Sequence, residues 1–414
     1  MKKIDWLRGA AAAASVCLLL AGCAGEGTSS PGVPASSTPQ TYTTLPQRSE
    51  TFAVDDSHVR FLGRYLKNPA DGRVHFDWSA SGFSFTFTGS SVKAVLYTPK
   101  TYAVQETARP HVAVYVDGGV EPVTRISLSQ DSMEVELVPE MGEGTHTVEV
   151  RKASAMSYSG PFSLDSVTVT GVQPSMQPAG QPQRRIEFIG DSITCGYGVL
   201  ASAQDASYKS IEEDGTQSFA GVTARSLGAD YSLVCVSGNG VYCDLKGRQK
   251  MLMPEYYPYA DLKLDNDWGS AEKTLWGDEQ FPADAVVIHL GSNDSQGVLT
   301  TIQTIDGREL TLEERQLGFR EAYQKLVETV RQTHPDAAIF CVIGGMPSIG
   351  MYALIQDAVS AYKEASGDGR VYTYEFETNF HTVENGIRAG HPSATVHRMM
   401  AGELAGQMKA VLGW

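Results

Sequence analysis

Positive charge is scarce in this chain. There are 33 Lys and Arg against 48 Asp and Glu, a formal net charge of -15, and no basic cluster reverses the deficit locally. Polyanions are therefore repelled, and nucleic acid is not an expected partner. Long apolar runs are missing too: the run from Ala10 to Leu20 is too short to remain in a bilayer as a spanning helix. Neither a His-Glu-x-x-His spacing nor a phosphate-binding glycine loop occurs, so no metal or cofactor is expected. Cysteine is sparse. Of six, Cys17 lies in the N-terminal apolar run and Cys23 directly after it, which leaves Cys195, Cys235, Cys243 and Cys341. Cys235 and Cys341 sit in apolar runs where a free thiol packs as a small hydrophobe, and a Cys235 to Cys243 bridge stays open as an alternative.

What remains is globular in character: 414 residues, 42% hydrophobic and 20% charged, are enough for two cores. Lys2, Lys3 and Arg8 before the apolar run read as an export signal over residues 1–22. Leu20-Ala21-Gly22-Cys23 resembles the bacterial lipobox, which implies lipidation of Cys23 and a membrane-anchored lipoprotein, held at the cell surface or in the periplasm without a spanning helix. Residues 23–50 are rich in Ser, Thr, Pro and Gly and read as a spacer. From 51 to 172 the pattern alternates with period two, as in Phe83-Ser84-Phe85-Thr86-Phe87 and His146-Thr147-Val148-Glu149-Val150, and predicts an all-β sandwich of jelly-roll type. The proline-containing stretch 173–183 is expected to be a hinge. Beyond it, over 184–414, near-continuous apolar strands at 186–189, 231–236, 285–290 and 338–343 alternate with helices expected at 218–227, 312–333, 349–365 and 393–412. That alternation predicts a doubly wound α/β domain whose chemistry lies at the strand C-termini.

Four segments there supply the parts of acyl transfer in order. Ser192, in Gly190-Asp191-Ser192-Ile193-Thr194, follows a strand and precedes a Gly-containing turn, which suits an exposed nucleophile whose own N–H is free to donate. Gly238, in Ser237-Gly238-Asn239-Gly240, can turn its N–H toward a reacting oxygen; Gly240 is the alternative. Asn293, in Gly291-Ser292-Asn293-Asp294, can aim its amide at the same oxygen, completing an oxyanion hole with Ser192 and Gly238. His391, before Pro392 and the predicted N-cap Ser393, is the candidate base. Asp191 is expected to brace the turn, His334 to end a helix, and His397 to lie too far round its helix to share the role of His391. Between the two oxyanion segments Tyr256, Tyr257, Tyr259, Trp268, Trp276 and Phe281 crowd one loop; Tyr257, Trp268 and Trp276 are the candidate sugar-stacking residues.

The four segments resemble blocks I, II, III and V of the SGNH or GDSL hydrolase superfamily, which implies a flavodoxin-like α/β fold over about 184–414. The upstream sequence, especially Arg60-Phe61-Leu62-Gly63-Arg64 and Phe76-Asp77-Trp78-Ser79, is similar to the N-terminal domain of carbohydrate esterase family 2. The resemblance implies a metal-independent serine esterase that removes acetyl groups from plant polysaccharides such as xylan and glucomannan, with an acetylated polysaccharide or oligosaccharide as partner. Alternatives are action on another ester, such as peptidoglycan O-acetyl groups, lipids or thioesters, or a catalytically idle carbohydrate-binding lipoprotein. One departure stands out: the superfamily places an aspartate two or three residues before the histidine, and here those positions hold Ala389 and Arg388. A Ser-His dyad oriented by a backbone carbonyl is the expectation, with Glu377 and Glu384 as alternative carboxylates.

Overall fold

The computed structural model describes residues 45–414 except 203–208, 300–303, 380–386 and 389. Cys23, its spacer and Glu384 lie outside the described residues. The alternating region folds as β1 (Arg48–Phe52), β2 (Arg60–Leu62), β3 (Leu66–Lys67), β4 (Val74–Phe76), β5 (Gly82–Gly89) and β6 (Ser91–Tyr97). After the short helix α1 (Lys100–Ala103) come β7 (His111–Val116), β8 (Thr124–Ser127), β9 (Ser132–Val138), β10 (Gly144–Lys152), β11 (Phe162–Gly171) and β12 (Ser175–Pro178). One antiparallel sheet runs β3-β4-β11-β6-β9 with β1 on β11, the other β12-β5-β10-β7-β8 with β2 on β5. The period-two pattern does its expected work. Phe83, Phe85 and Phe87 of β5 point into a core shared with Phe162, Val167 and Val169 of β11. The intervening Thr86 and Thr88 face away and bond across the sheet to Thr147 and Thr145.

The expected hinge is corrected here. Residues 175–178 are β12, paired with β5 from Ser175 opposite Thr88 to Pro178 opposite Phe85. Proline is tolerated because β12 is an edge strand.

The second half comprises β13 (Arg184–Gly190), α2 (Ser192–Cys195), α3 (Phe219–Ser226), β14 (Ala229–Cys235), α4 (Met253–Tyr256), α5 (Leu262–Asp267), β15 (Ala285–His289) and α6 (Asp294–Val298). The hairpin β16 (Thr304–Ile305) and β17 (Arg308–Glu309) leads to α7 (Leu312–Thr333), β18 (Ala338–Gly345), α8 (Met351–Ser366) and β19 (Val371–Asn379). A second hairpin, β20 (Ile387–Arg388) and β21 (His391–Pro392), precedes α9 (Ala394–Leu412). All neighbours in the sheet β14-β13-β15-β18-β19 are parallel. Numbered within this half, that is the 2-1-3-4-5 order of flavodoxin-like folds. Its direction reverses between β13 and β15, and ligands bind in the crevice at such a switch point. Alternate strand residues serve opposite faces: Ile189, Val286 and Ile288 meet α7 and α8, while Phe188 and Val287 meet α3 and α9. The four predicted helices are found with ends shifted by at most one or two residues, and Ser218, Thr311 and Ser393 cap three of them through their side chains.

Residues Pro46–Trp414 form one compact unit, in which the sandwich and the parallel sheet share both apolar core, through Leu66, Trp78 and Met156, and buried charge. Fully buried Arg64 donates to both oxygens of Glu187 on β13, from Nε at 3.2 Å and Nη2 at 3.0 Å. Its Nη1 donates to the carbonyls of Tyr257 and Tyr259 at 2.5 and 2.7 Å. The ring of His334 joins them, bonding Glu187 at 3.2 Å and Asp278 at 3.0 Å. Burial alone raises a carboxyl, but the Arg64 guanidinium and then His334 bring Glu187 down to about 2. His334 does end α7, its N–H bonding the Val330 carbonyl at 2.8 Å. Its second task as a buried partner of Glu187 has no counterpart in the sequence pattern.

Candidate active site

Ser192 is the first residue of α2, one step beyond β13. Asp191 caps that turn, its Oδ1 accepting the Ile193 N–H at 3.0 Å, and Gly196 ends it in the left-handed region at φ +76°. His391 arrives from the other side of the switch point on β21, with Arg388 opposite it in register. The distance between Ser192 Oγ and His391 Nε2 is 2.8 Å. A serine hydroxyl can donate along that line only to an unprotonated Nε2, which is the geometry of a nucleophile and its base.

One amide ties the other segments to this pair. Asn293 Nδ2 donates to Asp191 Oδ2 at 3.1 Å and to the Asn239 carbonyl at 2.8 Å, so it touches the neighbours of both Ser192 and Gly238. Gly238 has φ +82°, where a side chain is strained. At Gly240 a Cβ would collide with the Asp294 carboxylate and the Cys243 carbonyl. Gly240 is thus explained by packing, which leaves Gly238 as the donor candidate. Among the described residues neither the Ser192 N–H nor the Gly238 N–H has an acceptor. The loop that carries Gly238 is held by Asp294, whose Oδ1 accepts from the N–H groups of Val241, Tyr242 and Cys243 at 3.1, 2.7 and 3.0 Å. Burial raises both carboxyls beneath the site, Asp294 to about 6 and Asp191 to about 7, with Asp294 adding to the shift of Asp191.

Several candidates fall elsewhere. Tyr257 is fully buried and Trp276 nearly so, both in the core beneath α7, because their loop closes one face of the parallel sheet. They offer no ring to a sugar. Trp268 is half-buried, edge-on to His75 at 5.1 Å between ring centroids, and lines a cavity of about 250 Å³ with Tyr102 and Asp267. Cys235 and Cys243 are not bridged; all four described cysteines are free and buried. His397 is buried under the site, accepting the Phe219 N–H at 3.0 Å, and burial lowers it to about 3. Glu377 is exposed, and its N–H bonds the Glu403 carboxylate at 2.8 Å.

Two residues escaped the sequence reading. Tyr197, in the turn after Ser192, lies against the imidazole of His391 with ring centroids 4.3 Å apart and planes 35° apart. Tyr158, from the β10–β11 loop of the sandwich, meets Tyr197 at 6.0 Å and is 42% exposed. In the same loop Ser157 Oγ accepts the Ser237 N–H at 2.9 Å. The available signal was an aromatic set between two glycines immediately after the nucleophile segment.

A profile of the GDSL-like Lipase/Acylhydrolase family matches residues 188–399, just over half of the chain. The chain belongs to this family. It is accordingly a carboxylic-ester hydrolase, and its sandwich matches the Carbohydrate esterase 2 N-terminal profile over residues 61–178. This GDSL-like chain is 29% identical over 374 residues to the cellulase/esterase CelE of Acetivibrio thermocellus, covering 88% of its own length but 41% of that relative's. It is 24% identical over 373 residues to an acetylxylan esterase / glucomannan deacetylase of Cellvibrio japonicus, covering 89% and 93%. Among solved structures, a family two carbohydrate esterase from Clostridium thermocellum in complex with cellohexaose superposes with a TM-score of 0.69 at 26% identity, covering 86% of this chain and 99% of that one.

Proposed function

We propose that this GDSL-like protein is a carbohydrate O-acetylesterase that removes acetyl groups from plant polysaccharides of the xylan or glucomannan type. The carrying observation is the 2.8 Å contact between Ser192 and His391, walled by a sandwich loop that brings Tyr158 to its edge. Ser192 Oγ attacks the acetyl carbonyl as its proton passes to His391 Nε2. The N–H groups of Ser192 and Gly238 and the amide of Asn293 hold the oxyanion. Both Nδ2 hydrogens of Asn293 already have acceptors, so the developing negative charge takes one by outcompeting the neutral Asn239 carbonyl. His391 then protonates the leaving sugar oxygen, and water releases acetate from Ser192 by the reverse proton path.

Among the described residues, the exposed face of Tyr158 and the half-buried Trp268 are aromatic surfaces that can contact a glycan, in place of Tyr257 and Trp276. The names of the relatives support the substrate class, as does the family match of the sandwich. The strand orders β4-β11-β6-β9 and β5-β10-β7-β8 support a jelly roll, since each sheet interleaves early and late strands as two nested Greek keys do. The leader and Cys23 support export and lipid anchoring at a bacterial surface or in the periplasm; Cys23→Ala should lose a fatty-acid label and keep activity. Acetate release from a panel of acetylated glycans, set beside long-chain acyl esters, tests the substrate class. Turnover confined to the long-chain esters would overturn it.

A further inference from the structure

Tyr197 is bound into the site at both ends. Its N–H donates to the Ser192 carbonyl at 3.0 Å, and Gly196 and Gly198 on either side of it are left-handed, at φ +76° and +65°. One tight turn therefore carries both the nucleophile and the ring that lies 4.3 Å from the His391 imidazole, centroid to centroid. An aromatic face is the negative pole of the ring quadrupole and attracts a cation more strongly than a neutral heterocycle. His391 becomes a cation when it takes the Ser192 proton, and positions 388 and 389 hold Arg and Ala.

We propose that Tyr197 is the positioning residue for the base: its π face keeps the imidazole in line with Ser192 and favours the imidazolium formed during attack. The inference rests on the acyl-enzyme reading above and assigns Tyr197 part of the work that an aspartate does elsewhere in the superfamily. Tyr158 backs the ring from the sandwich side, so the β10–β11 loop braces the catalytic pair. Among the described residues, Ser192 on α2 bonds His391 and His397 on α9 acts on it from below, kept neutral by burial. Glu212 and Glu213 act on Tyr197 from beyond, and burial together with Tyr158 raises the Tyr197 phenol, so the ring stays uncharged. Asp191 also titrates near neutrality, and its own bonds are to Asn293 and the Ile193 N–H.

The test separates the π face from mere bulk. Tyr197→Leu fills similar space without a quadrupole, and Tyr197→Phe keeps it; Tyr197→Met replaces the Leu variant if that does not fold. In Tyr197→Leu, kcat on an acetyl ester should fall on the order of tenfold with KM little changed, and Tyr197→Phe should restore most of the loss. The His391 ring, assigned in the NMR spectrum by its absence in His391→Gln, should titrate about half to one pH unit lower in the Leu variant, because the imidazolium loses its partner at unchanged burial. An unmoved or raised titration, or a Phe variant as impaired as the Leu variant, would overturn the proposal. The titration is read without substrate. An inactive wild type would therefore refute the esterase and leave the stack standing, whereas an unshifted ring would refute the stack alone.

Discussion

Ser192 and His391 are 199 positions apart in sequence and in hydrogen-bond contact in the fold. Because they act as one proton-transfer unit, Ser192→Ala and His391→Ala should each abolish ester hydrolysis while the double variant is no worse than either, a non-additivity that steady-state kinetics with a circular-dichroism control would show. Asn293→Ala should cost on the order of a hundredfold in kcat, as loss of one oxyanion donor does, and leave the Asn239 carbonyl and Asp191 without their shared donor. Little change in kcat would remove Asn293 from the oxyanion hole. The four segments were legible in the sequence because each is a short run of special residues at a strand end, where side-chain chemistry is not masked by core packing. Tyr257, Trp276 and Tyr197 were not. An aromatic looks the same in sequence whether it fills a core, as Tyr257 does, or lies on the His391 imidazole, as Tyr197 does, and only the closure of the loop decides.

The strands and helices were legible from period alone wherever one face is apolar: α7 was placed at its observed ends, and β5 shows its three phenylalanines on one side. β12 was not, since a short edge strand with proline has the composition of a linker. Nor was the Arg64–Glu187–His334 cluster, because buried charge follows no periodicity. That cluster joins the sandwich to β13, and Arg64→Met would strand a buried carboxylate. We expect a loss of about 3–5 kcal/mol in chemical denaturation, much of it recovered when Glu187→Met is added. A single change without measurable cost would show that this cluster does not hold the two halves together, leaving that to their apolar contacts and to other cross-links such as Arg60–Asp230 and Lys263–Asp77. The stabilising share of Glu187 is present above the unfolded carboxyl value and is lost as pH falls through about 2.

Across the molecule the buried histidines set a milder acid limit. Burial holds His289 neutral down to about 4, well below the 6.5 of an unfolded histidine. The stability it contributes is therefore complete above that unfolded value and is lost as pH falls toward 4; the raised carboxyls of Asp191 and Asp294 act in the opposite sense over much of the same range. Wild type should accordingly lose stability relative to His289→Gln between pH 7 and pH 4.5, read as urea midpoints, and a constant difference would show that His289 is not the group responsible. The charge of -15 disfavours polyanionic partners. Deacetylation of a glycan by Ser192 is read directly as acetate released from acetylated xylan or glucomannan by wild type and by folded Ser192→Ala. Release by the first and none above background by the second is expected; equal release by both, or none by wild type from either polymer, would mean that Ser192 is not a glycan deacetylase.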